Sequence, residues 1–313
     1  MTEVAAPGAM ATAPAKINLA LRVGSRRADG YHPLNSLFHA VDLSERVSVG
    51  AAASDGDELT VTGRQARGVP LGRTNLALMA AALLRREHGA LPPVRLQIDK
   101  AIPVAGGLAG GSADAAAALR ALNDWWGLGL SRERLIELAA ELGSDVPFAV
   151  LGGNAIGQGR GEDLRPVPSR GSLHWALVIS PEGMSTPEVF AHFDRRGHAS
   201  GLDGPPPIPP ALLEGLAQGD PALVGANLVN DLQPVAFALR PELSRVAQAA
   251  RDAGALGAIV SGSGPTVACL AANGAHAQDL AAAMRSWLAQ ADPAAMATTA
   301  ANRVLVAQGP AEP

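Results

Sequence analysis

The chain has 313 residues, enough to bury a large core and to form two domains. A net charge of -4 gives no electrostatic reason to expect nucleic acid or an anionic membrane as a partner. No stretch approaches a membrane span, no signal-peptide pattern is evident, and the single Cys269 excludes an internal disulfide and a cysteine-based metal site, so the cytoplasm is the expected location.

Residues 1–13 are small, Pro- and Ala-rich and aperiodic, and are expected to form a disordered leader. Lys16 to Val23 reads as a strand, with Ile17, Leu19, Leu21 and Val23 on one face and Lys16, Asn18, Ala20 and Arg22 on the other. Taken alone, that second face is a solvated one. Arg26 to Pro33 is a polar, basic loop. Aromatics make up only 3% of the chain, so the lone tyrosine, Tyr31, is informative there: a core would not place it in such a segment. Leu34 to Leu43 is mixed apolar. Val47–Val49 and Leu59–Val61 read as short strands joined by an acidic turn around Asp55 and Asp57. Thr74 is placed to cap a helix running through Leu84, with Asn75 in its first turn.

Val94, Leu96 and Ile98 alternate with Arg95, Gln97 and Asp99, as in a half-buried strand. A glycine-rich loop follows, Pro103-Val104-Ala105-Gly106-Gly107-Leu108-Ala109-Gly110-Gly111-Ser112-Ala113. Ala115, Leu119, Leu122 and Trp126 then fall on one face of a helix. Strand, glycine loop and helix N-terminus together suit a phosphate group: the first helical N–H groups lack partners, and glycines let the backbone close on a bulky anion. Walker A is excluded, because no Lys-Ser/Thr pair follows Gly111, and the G-x-G-x-x-G dinucleotide fingerprint is also absent.

Ser131 caps a helix that ends at Gly143. In Ser144-Asp145-Val146-Pro147-Phe148, Asp145 reads from spacing as an N-cap or first-turn carboxylate, or alternatively as a general base. Gly152 to Leu164 reads as an edge hairpin. In the second half, His174–Ile179 is a buried strand and Thr186–Phe193 a short helix, while residues 204–210 form an extended proline-rich loop. Leu212–Leu216 and Leu223–Phe237 are expected to be helical, with interruptions at Pro221 and Pro234, and Glu242–Ala253 is helical too. A second glycine loop, Ser261 to Thr266, joins two strands. Ala275–Ala291 is helix and Arg303–Ala307 a last strand. Strands and helices do not alternate strictly, which favours α+β over a doubly wound sheet.

Three motifs in this order carry a family resemblance: Pro14-Ala15-Lys16-Ile17-Asn18-Leu19, Pro103 to Asp114, and Val260 to Thr266. On them the chain resembles the GHMP kinase superfamily from about Pro14 nearly to its end. Arg27-Ala28-Asp29-Gly30-Tyr31-His32, Gly143 to Phe148 and Asn230-Asp231-Leu232-Gln233-Pro234 are similar to the branch acting on a cytidyl diphosphate-linked methylerythritol, in the non-mevalonate isoprenoid route. The resemblance implies a two-domain α+β fold. An ATP-binding domain over 14–166 would hold a mixed sheet with helices and the phosphate loop, and a ferredoxin-like α/β sandwich would occupy 167–313. It implies ATP and Mg²⁺ as cofactors and a small-molecule substrate; the oligomeric state, monomer or weak dimer, is left open. Residues Pro103 to Ala113 would bind ATP. Asp145 would take the proton from the acceptor hydroxyl, with Lys16 beside it. Asn18, Tyr31, His32 and Phe190 would bind substrate, the two aromatic rings on opposite faces of the cytosine and His32 at its edge. No protein ligand set for the metal is evident, although Ser112 offers a hydroxyl. Ala105 and Ala109 stand where this family often has glycine; alanine suits φ < 0, so the loop keeps its form if those positions do not need φ > 0. A kinase of homoserine, mevalonate or a sugar, and a non-catalytic nucleotide-binding regulator, are the alternatives.

Overall fold

The computed structural model describes residues 8–196, 204–291 and 303–313. The first sheet is built on a long antiparallel hairpin of β1 (Ala9–Val23) and β2 (Leu34–Ala51), paired from Ala9 opposite Val49 to Val23 opposite Leu34, with register shifts between Pro14 and Ala15 and between Asn18 and Ala20. Ala9 to Ala13 are therefore strand, with Ala13 fully buried, and not part of a leader; residues 1–7 lie outside the described residues. The apolar segment at Leu34 and the strand at Val47 merge into this one 18-residue element.

β3 (Glu58–Thr62) does not pair with β2 across the acidic turn. β4 (Val94–Asp99) lies between them, antiparallel to β2 and parallel to β3. The turn carboxylate explains this arrangement. Asp57 accepts two hydrogen bonds from Arg85, at 2.6 and 2.7 Å, and one from the Val94 backbone N–H at 3.0 Å, which ties the turn to the start of β4. These donors hold the Asp57 carboxyl below its ordinary range, although burial acts the other way. β5 (Asn154–Gln158) and β6 (Asp163–Pro166) form the expected edge hairpin, with β5 paired to β2.

Four helices cover this sheet and its end: α1 (Leu76–His88), α2 (Gly110–Trp125), α3 (Arg132–Leu142) and α4 (Val146–Leu151). Asn75, not Thr74, caps α1, its Oδ1 accepting from Ala77 N at 2.9 Å and its Nδ2 donating to Pro70 O at 2.7 Å. α2 is buried on nearly every side, beyond the single face its spacing suggests. Ala113 and the run from Ala115 to Leu119 are fully buried. A helix apolar all round belongs in the interior, and its alanines let the flanking elements approach closely.

The second sheet is antiparallel, in the order β11 (Val304–Gly309), β7 (Leu173–Val178), β10 (Val267–Ala271), β9 (Gly257–Val260). Helices separate β7 from β9, and α10 (Gly274–Ala291) separates β10 from β11, so the chain runs β-α-β-β-α-β as in ferredoxin-like folds. Strand alternation sorts the core. Ala176, Val178, Val267 and Cys269 pack with α9 (Pro241–Asp252) and α10, while Trp175, Leu177, Ala268 and Leu270 face the first domain. Cys269 is fully buried, and burial pushes its thiol up to about 12.

The helix expected over Leu223–Phe237 is broken into α7 (Pro221–Ala226), β8 (Val229–Asn230) and α8 (Gln233–Leu239). Side chains make the break. Asn230 donates to Val260 O and Gly262 O, both at 2.7 Å, and accepts from Leu232 N. Asp231 accepts from Val23 N at 2.9 Å. β8 thereby pairs with β1 in the first sheet and fastens the second glycine loop to it.

Under the phosphate loop lies a buried charge cluster. Lys100 Nζ is 2.7 Å from Glu45 Oε1 and 2.6 Å from Asp114 Oδ2. Glu45, fully buried, also accepts from the N–H groups of Ala101 and Ile102 at 2.8 and 3.1 Å. The loop is thus held at its entry by Glu45 and from entry to exit by Lys100 and Asp114. Burial raises the Asp114 carboxyl and pushes Glu45 up to about 7, outweighing the attraction of Lys100. Because the folded value for Glu45 lies above its ordinary 4.5, its contribution is full at acid pH and is lost as pH rises from about 4.5 through about 7. Urea unfolding across that range should show a steeper loss of stability in the wild type than in Glu45→Gln. Equal slopes would remove Glu45 as the titrating group.

Candidate active site

The phosphate loop alternates hand. Ala105, Gly107 and Ala109 have φ of 51°, 76° and 59°, while Gly106 and Leu108 between them do not take positive φ, a pattern that gathers successive N–H groups into an anion-binding concavity. The alanines thus do take φ > 0, at about 1–2 kcal/mol each relative to glycine-like freedom. Gly107 cannot be replaced in the same way, since a Cβ there would lie 2.2 Å from Ser261 O. Ala109 sits at the N-cap of α2 and supplies no side-chain cap, leaving the first-turn N–H groups to a ligand.

The second glycine loop braces the first. Ser261 Oγ donates to Gly107 O at 2.9 Å, and Thr266 N donates to Gly106 O at 3.2 Å. Of the residues expected to bind ATP, Ala105, Gly106, Gly107, Ala109, Gly110, Gly111 and Ser112 border a cleft of about 340 Å³. Val104 is exposed on the other side of the loop, beside Asn75 and Asp114. Pro103, Leu108 and Ala113 are buried beneath it, where they shape the backbone.

Lys16 and Asp145 meet across the same cleft, Nζ to Oδ2 at 3.5 Å. The face of β1 that bears Lys16 and Asn18 is not solvated: both side chains are buried, in the seam between the domains. Lys16 is aimed by three groups. Its Nζ donates to Asn18 Oδ1 at 2.6 Å, Asn18 Nδ2 donates to Ser36 Oγ at 2.7 Å, and Ser36 Oγ donates to Ala20 O at 3.1 Å. Each end of the Asn18 amide makes one bond in this relay, which ties Asn18 to Lys16. Gly262 makes room, since a Cβ there would come within 3.2 Å of Nζ. Asp145 occupies the N-cap position of α4, yet its side chain makes no capping bond and turns to Lys16 instead. The side chain is therefore not a helix cap.

A second cleft, about 590 Å³, opens beside the first. Tyr31 and His32 line it together with α5 (Thr186–Arg195), which carries Phe190. Tyr31 is 53% exposed, with the Arg160 guanidinium 4.9 Å from its ring centre, so one face of the ring is already covered by protein. His32 differs from the expectation of a free base-edge partner. Its Nδ1 lies 2.9 Å from Gly24 O and its Nε2 3.1 Å from Asp194 Oδ1, so both ring nitrogens face protein acceptors. Phe190 stacks on the His32 ring at 5.2 Å, at the mouth of the cleft. Asp194, Ser36, Arg160 and the Lys100 cluster escaped the sequence reading. Each is a single polar residue in an ordinary segment, and only long-range contacts give it meaning.

For a divalent cation, the described residues contain no cluster of three or more His, Cys, Asp or Glu. The Ser112 hydroxyl, on the first turn of α2 and bordering the cleft, is a hard oxygen donor of the kind magnesium accepts when it is held mainly through phosphates and water.

Two family models match the chain: the GHMP kinases N terminal domain over residues 75–153 and the GHMP kinases C terminal domain over residues 212–290. A Streptomyces coelicolor protein named 4-diphosphocytidyl-2-C-methyl-D-erythritol kinase is 51% identical over 87% of this chain and 91% of its own length. A Nocardia farcinica protein of the same name is 48% identical over 97% of both chains. Among solved structures, a 4-(cytidine 5'-diphospho)-2C-methyl-D-erythritol kinase superposes with a TM-score of 0.75 at 34% identity, covering 96% of this chain and 98% of that one. A homoserine kinase from Cytophaga hutchinsonii shares the fold, with a TM-score of 0.73 at 19% identity over 97% and 94%. A phosphate loop without a Walker lysine, a lysine and a carboxylate facing it, and matches of this extent agree: the chain belongs to the GHMP kinase superfamily.

Proposed function

We propose that the protein transfers the γ-phosphoryl group of ATP to the 2-hydroxyl of 4-diphosphocytidyl-2-C-methyl-D-erythritol, an isoprenoid-precursor step of the cytoplasm. The observation that carries this reading is the Lys16–Asp145 pair, 3.5 Å apart, facing the phosphate loop in a cleft that opens directly into the Tyr31 cleft.

Phosphoryl transfer asks a protein mainly for positioning and charge stabilisation. The loop N–H groups between Ala105 and Ser112 bind the β- and γ-phosphates at the start of α2. Ser112 would offer its hydroxyl to a Mg²⁺ bound mainly through phosphate and water, and the chemistry such an ion would supply is charge neutralisation. Asp145 Oδ2 accepts the proton of the acceptor hydroxyl. Lys16, fixed by Asn18, counters charge on the moving phosphoryl and holds Asp145 in line. The Lys16 ammonium also lies 5.6 Å above the Phe38 ring, which keeps water from its lower side. Tyr31 offers its open face to the cytosine, with Phe190 across the cleft mouth. His32 orders the pocket wall through Gly24 and Asp194.

With Mg-ATP, the cytidyl-linked methylerythritol should be turned over while homoserine, mevalonate and simple sugars are not; turnover of one of those acceptors instead would reassign the substrate. Asp145→Asn should lower kcat by about 10²–10⁴-fold with KM for ATP little changed, as expected for loss of a general base. A variant within a few-fold of wild type would take Asp145 out of that role. Tyr31→Ala should raise KM for the cytidyl substrate by about 5- to 150-fold, the equivalent of roughly 1–3 kcal/mol of base stacking, and leave KM for ATP alone. Equal changes in both constants would point to a folding defect.

A further inference from the structure

The two clefts are joined by a neck. Leu34, Ser144, Arg160, Thr186 and Phe190 border both of them, and Arg160 is the only one of the five that carries a charge. Under the function proposed above, the cytidine occupies one cleft and the reacting hydroxyl the other. The group that must pass through the neck is the diphosphate linking them, which is anionic and needs donors.

The other cations that border these clefts are engaged. Lys16 is bonded to Asn18 and paired with Asp145. Arg26 donates to Gly30 O at 3.1 Å and sits 3.7 Å from Asp194. Arg160, in contrast, donates no side-chain hydrogen bond among the described residues. Its nearest carboxylate oxygen, on Glu162, is 3.8 Å from Nε. Its guanidinium carbon lies 4.9 Å from the Tyr31 ring centre, within cation–π range, and that contact uses none of its N–H groups.

The turn that carries Arg160 is itself tightly seated. Gly159 and Gly161 flank it at φ of 70° and 113°. Gly161 N donates to Gln158 O at 2.8 Å, and Leu34 N donates to Gly159 O at 2.7 Å. The hairpin presses on Phe38, where a Cβ on Gly157 would come within 2.5 Å of the ring. One aromatic ring thus contacts both the Arg160 hairpin and the Lys16 ammonium.

We propose that Arg160 binds the diphosphate of the substrate through its guanidinium fork and so sets the requirement for a diphosphate-linked acceptor. Planar N–H pairs match phosphate oxygens two at a time, which a lysine at the same place would not do.

The test is calorimetric titration of the full-length protein with cytidine and with cytidine 5'-diphosphate, the ATP site being filled by a non-hydrolysable analogue. In the wild type the diphosphate should bind more tightly than the nucleoside. Arg160→Ala should cut that advantage by about 10-fold or more, the scale of a hydrogen bond to a charged group, with cytidine affinity held within about two-fold. Arg160→Lys should fall between. An unchanged ratio in Arg160→Ala would overturn the proposal, and so would an equal weakening of both ligands, which would reduce Arg160 to a support for Tyr31. Equal wild-type affinity for the two ligands would overturn it as well. Turnover of the cytidyl-linked methylerythritol by the wild type is measured alongside. Its absence would sink the proposed activity, while the binding ratio still judges Arg160.

Discussion

Lys100 stands between Glu45 and Asp114, shielded from water, and the phosphate loop runs from one side of this cluster to the other. Breaking such a cluster from one side leaves an uncompensated buried charge, an outcome usually worth about 3–5 kcal/mol. The loop above it contains two alanines in the left-handed region, a strained arrangement that persists only where surroundings over-determine it. The cluster supplies that constraint from below, and Ser261 and Thr266 supply it from above. Buried charge is thus converted into a rigid anion cradle without a lysine in the loop.

The division of labour in the site follows from where its parts are anchored. The nucleotide half belongs to the first domain, with its floor in β2, β4 and α2. Under the proposed function, the transfer chemistry would lie on the seam, where β1 offers Lys16, the start of α4 offers Asp145, and the β9–β10 connection approaches Lys16. Under the same proposal, substrate selection would fall further out, on the Tyr31 loop, α5 and the β5–β6 hairpin, which line the second cleft. Loops on a rigid scaffold can vary without disturbing the chemistry.

The seam also explains why β8 exists. A two-residue strand contributes little pairing, but Asn230 uses two hydrogen bonds, to Val260 O and Gly262 O, to join the first sheet to the second glycine loop, while its Oδ1 accepts locally from Leu232 N. Without that bridge the brace on Gly107 would depend on packing alone. The two domains therefore meet through polar contacts directed at the site, as well as through the apolar core shared by Trp175, Leu177 and Ile17.

Much of this was legible in the chain itself. The alternation at Val94 to Asp99, the glycine loop before an apolar helix and the caps at Ser131 and Gly143 are local signals, and each survives in the structure. The three ordered motifs sufficed to name the superfamily, because residues next to a phosphate or a transferred group are constrained by chemistry as well as by packing. What tertiary structure alone decided was long-range. It inserted β4 between β2 and β3, because Asp57 finds Arg85 and Val94 only after folding. It drew Ala9 to Ala13 into a strand, since a partner strand gives an aperiodic segment its hydrogen bonds. It turned Asp145 from a helix cap to a partner of Lys16, and it occupied the His32 nitrogens that the chain seemed to leave open. Spacing along a chain reports which residues share a face of one element; it carries no record of which two elements will meet.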